Sequence, residues 1–202
     1  MDRGTPDRTR LEKQFAFIHE IDKLKSIERQ TLLMDGSRRE NDAEHSWHIS
    51  AMALLLSEYS NSEIDVLRVL KMLLIHDLVE IRAGDTFCYD VEANKAKLER
   101  ERVAAGEIFG LLPADQAKEL IALWEEFESR ETPESKFAAA LDRLQPVLHN
   151  AATEGAAWQS HGVKRAMVEE RNSHIKDGSH LLWEEFSRIV ALAAEKGYLP
   201  ES

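Results

Sequence analysis

The sequence predicts an all-α fold, a compact single-domain helical bundle, and three observations carry that expectation. Apolar residues recur at spacings of three and four along most of the 202 residues. Nothing alternates with period two for long enough to make a convincing strand. No internal repeat, low-complexity segment or long linker divides the chain, so one domain is expected over residues 8–199. Apolar content of 43% supports a real core, and 31% charged residues is ordinary for a solvated surface.

The elements follow in order. Residues 8–25 carry Leu11, Phe15, Ile18, Ile21 and Leu24 at the spacing of an amphipathic helix. Residues 26–41 break that pattern and read as a loop, with Asp35-Gly36 as a turn. Asn41 or Asp42 caps a helix to about Tyr59, with Trp47, Ala51, Leu54 and Leu55 expected inward. Ser62 caps the next, whose positions 64–75 are apolar almost all round, the pattern of a buried central helix. The charged segment from Glu92 to Glu107 reads as a solvated helix. Pro113 opens another, with Leu120, Ile121, Trp124 and Phe127 as its inner stripe.

Thr132-Pro133-Glu134 is a cap-then-proline helix start. The helix it opens contains Pro146, which cannot donate to the carbonyl of Asp142, so a kink is expected there. Residues 150–162 read as an ordered loop, and Val163 to Ile175 as a helix. Ser179 caps the last helix and Gly197 ends it. Seven or eight helices result. The four tryptophans are expected in the core, and the charge run 97–102 on a solvated face.

Net charge is −11 with pI near 5.2. That argues against a protein that grips a nucleic acid polymer, which needs a basic face. It leaves room for a small anionic substrate, because a bound cation reverses the local field. One cysteine, Cys88, allows no internal disulfide. The first residues lack a signal peptide's apolar core, and the apolar runs are too short to span a bilayer. No membrane association and a cytoplasmic location are expected.

One stretch concentrates chemistry. The apolar run Val69 to Ile75 ends in His76-Asp77, Glu80 follows three residues on, and Asp85 follows Gly84. Ionisable groups against an apolar wall are costly unless they pair, bind metal or react. His45 opens the second helix, and Asp142 sits on an otherwise apolar helix face. Each has an ordinary alternative: a helix-terminus histidine, an exposed aspartate, a solvent-side helix end. Taken together, two His and two Asp without a thiolate suit Zn, Mn, Fe, Co or Ni. Four protein ligands leave an octahedral ion two places for water and substrate oxygen, with Glu80 and Asp85 left over as acid or base. His48 reads as structural, or as a support behind the ligands.

The pattern His45 … His76-Asp77 … Asp142 resembles the H…HD…D signature of the HD-domain metal-dependent phosphohydrolases. Glu44-His45-Ser46-Trp47, Ile75 to Glu80 with Gly84-Asp85, and Lys136-Phe137 … Leu141-Asp142 resemble the branch that holds the 5′-deoxynucleotidases. The likeness covers roughly residues 12–160, and the tail adds Asn150 to Trp158 and Arg171-Asn172. It implies an HD-type all-α domain, a homodimer, and one divalent metal ion (Mn, Co, Zn, Fe, Ni or Mg) on His45, His76, Asp77 and Asp142. It further implies that Glu80 positions or activates the attacking water, that Asp85 transfers a proton and that Arg29 meets the substrate phosphate. Arg38 or Arg39 nearby is expected to help Arg29 there.

Two departures refine this. Gln30-Thr31-Leu32-Leu33 holds no tryptophan where many members carry one near the nucleotide, and no His lies between Asp77 and Asp142, which favours one metal over two. The activity expected is release of phosphate from a small nucleotide, a (deoxy)nucleoside 5′-monophosphate. The alternatives are another small phosphate ester, phosphodiester cleavage, or a regulatory module with a purely structural metal.

Overall fold

Asn41 accepts from the Glu44 amide while Glu44 reaches back to the Asn41 amide, and this capping box starts the helix that carries His45. The structure, a computed structural model, describes residues 7–84, 89 and 97–201. Its elements are α1 (Arg8–Ile21), a 3₁₀ turn (Asp22–Ser26), β1 (Glu28–Leu32), β2 (Arg39–Asn41), α2 (Asp42–Leu56) and a 3₁₀ turn (Ser57–Tyr59). There follow α3 (Val66–Ile75), a 3₁₀ turn (His76–Val79), α4 (Glu80–Ala83), α5 (Lys97–Phe109), α6 (Ala114–Ser129) and α7 (Pro133–Ala152). The chain closes with α8 (Ala156–Ser160), α9 (Arg165–Asn172), α10 (Ile175–Gly178) and α11 (His180–Glu195). The fold is all-α, as the spacing predicts. Its one sheet among the described residues is the two-stranded antiparallel β1–β2 pair.

That pair corrects the loop expected over 26–41. Glu28–Leu32 reads Glu-Arg-Gln-Thr-Leu, with no apolar alternation to announce it. The Asp35-Gly36 turn does stand there, with Gly36 at φ +71°.

The expected start of α7 is borne out. Thr132 accepts from the Ser135 amide, and Pro133 takes the first turn, where its missing N–H costs nothing. α7, and not α3, is the central helix. It packs against α2, α3, α6, α10 and α11. Gly178 of α10 comes so close to it that an added Cβ would lie 2.4 Å from the Lys136 carbonyl oxygen. Phe137, Ala138, Ala140 and Leu141 are fully buried and Leu144 nearly so. Burial of the large side chains among them, roughly 1.5–3 kcal/mol each, fixes the rotation of α7. That rotation turns one row, Asp142, Gln145 and His149 at i, i+3 and i+7, toward α2 and the end of α3. α7 continues through Pro146 to Ala152.

Several apolar stripes face the other way. On α2 the buried residues are Asp42, His45, Ser46, Ile49, Ser50, Met52 and Ala53. Trp47, Leu54 and Leu55, expected inward, are 69%, 61% and 73% exposed. α2 is apolar on both faces, and its polar edge is the one the site uses. Leu67 and Leu74 of α3 are exposed, so α3 is buried on one side only. On α1, Phe17 is buried, while Leu11, Phe15 and Ile18 are exposed. Trp124 and Trp158 are core residues as expected; Trp183 is half-buried.

Smaller differences remain. Asp65, not Ser62, caps α3. Residues 150–162 hold the last turn of α7 and the short α8, and the expected Val163–Ile175 helix divides into α9 and α10. Ser179 caps α11 and Gly197 follows its end at φ +76°, both as expected. In α5, Ala104, Ala105, Ile108 and Phe109 are buried, and so is Glu101. The charge run 97–102 is therefore only partly solvated.

Candidate active site

At the end of α3 the backbone tightens into the 3₁₀ turn His76–Val79. In that geometry residues three apart eclipse, so Asp77 and Glu80 fall in one row. Gly84, at φ +76°, then ends α4 by donating to the Glu80 carbonyl at 2.8 Å. Asp85 and Cys88 lie outside the described residues.

The structure brings His45, His76, Asp77 and Asp142 together. His45 Nε2 lies 3.1 Å from Asp142 Oδ1 and 3.9 Å from Asp77 Oδ2. His76 Nε2 lies 3.1 Å from Asp77 Oδ1 and 3.7 Å from Asp142 Oδ1. One ligand atom each from His45, His76 and Asp142 falls within 4.8 Å of the others.

The donor set fits a divalent cation. His76 Nδ1 donates to the Leu73 carbonyl at 2.9 Å, so its Nε2 lone pair points inward. That buried Nε2 makes no hydrogen bond, since the carboxylates stand beside it and not in line. His45 Nδ1 donates to Gln145 Oε1 at 3.1 Å, which turns its Nε2 the same way.

Electrostatics agree. Burial pulls His76 down, but Asp77 and Asp142 outweigh it and lift the ring to about 9. Burial, then Arg29, lowers His45 to about 4. Burial raises Asp142, yet Arg143 and the two histidines hold it well below the carboxylate range. Asp77 is lowered in the same way, against burial, by His76 and Arg29. Asp77 and Asp142 thus favour a proton on His76 Nε2, the place a divalent cation would take with its displacement.

Arg29 reaches the site from β1. Its Nη1 lies 3.0 Å from Asp77 Oδ2 and 3.1 Å from Asp42 Oδ1. It therefore braces Asp77 as well as lining the cavity. Arg38 pairs with Glu44 at 2.8 Å, and neither it nor Arg39 is among the described residues that line the cavity. The cavity measures about 330 Å³. Its wall includes Arg29, Gln30, Thr31, His76, Asp77, Glu80 and Asp142, with Lys97, Glu101 and Trp158.

Sequence reasoning missed the support behind His45. Gln145 Nε2 faces Glu40 Oε1 at 2.6 Å, His149 Nε2 at 2.9 Å and His48 Nδ1 at 3.3 Å. His149 Nδ1 donates to the Leu32 carbonyl at 2.8 Å, which leaves its Nε2 as an acceptor. Glu40, His48 and His149 have the spacing of a cation site. The Gln145 amide nitrogen already fills that space, so the three form the cradle of Gln145. His48 is a support, as expected. The signal was available: Gln145 and His149 follow Asp142 at i+3 and i+7 on one helix face. Gln145→Leu is expected to lower metal affinity roughly 10- to 100-fold in a chelator-competition titration. An unchanged affinity would contradict this role.

Comparison with known proteins agrees with the geometry. The HD domain family profile matches residues 21–183. The 5′-deoxynucleotidase HDDC2 of Danio rerio is 29% identical over 189 residues, which cover 83% of this chain and 92% of that protein. The protein of the same name from Homo sapiens is 30% identical over 139 residues, 68% of this chain and 67% of that one. The crystal structure of a predicted metal-dependent phosphohydrolase from Magnetospirillum magnetotacticum MS-1 superposes with a TM-score of 0.91 at 56% identity, covering 95% of this chain and 96% of that one.

Proposed function

The chain belongs to the HD domain family of metal-dependent phosphohydrolases, and from that premise we propose that it converts deoxynucleoside 5′-monophosphates to deoxynucleoside and phosphate. The observation that carries this is the meeting of His45, His76 and Asp142 ligand atoms within 4.8 Å, with His76, Asp77 and Asp142 on the wall of the cavity of about 330 Å³. The substrate class follows the names of the relatives from Danio rerio and Homo sapiens.

In this reading His45, His76, Asp77 and Asp142 hold one divalent cation. When bound, that cation supplies Lewis acidity toward phosphate oxygen and acidifies water. Glu80 is buried, lines the cavity and takes the proton of the attacking water as its oxygen bonds to phosphorus. The P–O5′ bond breaks, and the leaving oxygen takes a proton, a role assigned from sequence to Asp85. Arg29 holds Asp77 in place and offers charge to the phosphate. Little covalent work falls to the protein beyond positioning and charge neutralisation.

A panel of nucleoside mono-, di- and triphosphates, deoxy and ribo, with Mn²⁺ or Co²⁺ and a free-phosphate readout, tests the substrate class. Deoxynucleoside 5′-monophosphates should lead. Release of a nucleoside monophosphate from a diester, with no phosphate from monoesters, would contradict the reading.

One domain over 8–199 is supported by a core cluster that runs from Phe17 to Leu199. No helix among the described residues is long and apolar enough to cross a membrane. A charged nucleotide substrate suits a cytoplasmic location. The exposed rows of α2 (Trp47, Leu54, Leu55) and α3 (Leu67, Leu74), two helices packed on each other, support a homodimer through this face. Leu55→Glu should then turn a dimer into a monomer in sedimentation experiments. A parent protein that sediments as a monomer at micromolar concentration would sink the dimer.

A further inference from the structure

Lys97 and Glu101 face inward from α5 at i and i+4, on the cavity that holds the metal ligands. Lys97 Nζ lies 3.3 Å from Glu101 Oε1 and 3.7 Å from Glu80 Oε1. Both carboxyl groups are buried, with side chains 5% and 3% exposed, and Lys97 is largely buried between them. Burial pulls the Lys97 ammonium down, but Glu80 and Glu101 outweigh it and hold it above its ordinary range, so it is charged. Burial lifts Glu101 to about 7, against the pull of Lys97 and with a push from Glu128 of α6.

A flexible lysine stem is costly to immobilise in a cavity wall. Two carboxylates hold this one, and one of the two is the residue placed beside the attacking water. We propose that Lys97 is a positioning residue for hydrolysis: tethered by Glu101, its ammonium fixes the Glu80 carboxylate by charge in the orientation that accepts the water's proton. This rests on Glu80 as the proton acceptor.

The rival account is structural, with Lys97 serving only to neutralise Glu101. Removing both charges separates the two. Lys97→Met/Glu101→Gln leaves no orphaned carboxylate at position 101 and should melt near the parent. Steady-state rates are measured on the manganese-loaded protein with dAMP, beside metal content and Lys97→Met alone. Positioning predicts that the double variant keeps its metal and loses roughly 10- to 100-fold in kcat, with KM within about twofold of the parent. A double variant with parental kcat makes Lys97 a partner of Glu101 alone and overturns the proposal. A loss confined to KM makes it a substrate contact and overturns it too. Glu80→Gln run alongside separates the failures: an active Glu80→Gln removes the premise, while an inactive one beside a fully active double variant removes only this inference.

Discussion

Asp77→Ala should yield a folded protein that holds no metal and releases no phosphate above background. Asp77 stands within 3.9 Å of His45 Nε2 and 3.1 Å of His76 Nε2, and it accepts from Arg29 at 3.0 Å. Its loss removes one of the proposed ligands and the charge that holds Arg29 in place. Forfeiting the cation's several kcal/mol of transition-state stabilisation corresponds to roughly a thousandfold or more in rate. Breaking a buried ion pair also costs about 3–5 kcal/mol of stability. Asp42 and Glu40 still face Arg29, which limits that cost. Asp77→Asn keeps the volume and should give the same two losses with a smaller drop in melting temperature. Metal content by elemental analysis and phosphate release on the same samples decide it. Retention of metal by both variants would remove Asp77 from the ligand set.

Glu80→Gln should separate binding from turnover. Glu80 follows Asp77 in the 3₁₀ row and lines the cavity, but the ligand atoms that converge belong to other residues. The amide keeps the shape and cannot take a proton from water. The expected result is parental metal content, KM within a fewfold, and kcat lower by roughly 10²–10⁴. Loss of metal together with activity would instead make Glu80 a ligand.

The four candidate ligands stand out in the sequence because each sits beside a strong local signal. His45 follows a capping box, His76-Asp77 ends an apolar run, and Asp142 interrupts the buried face that begins at Thr132-Pro133. The all-α architecture followed from helical spacing. What failed was the direction of stripes. Spacing says that Trp47, Leu54 and Leu55 share a face; it does not say whether that face meets this chain or another surface. The inner face of α2 had to carry His45, Ser46 and Ser50, so the more apolar face turned out. The β1–β2 pair went unread because its strands are short and polar. Lys97 and Glu101 went unread because a charge run looks solvated until burial is known.

In the proposed mechanism a divalent cation on His45, His76, Asp77 and Asp142 drives hydrolysis. Its most direct test strips the purified chain with a chelator, returns Mn²⁺ or Co²⁺ in steps, and follows phosphate release from dAMP. Background rates are expected after stripping, with recovery of activity as the first equivalent binds and no recovery in Asp77→Asn. Undiminished phosphate release from the fully stripped protein would contradict it.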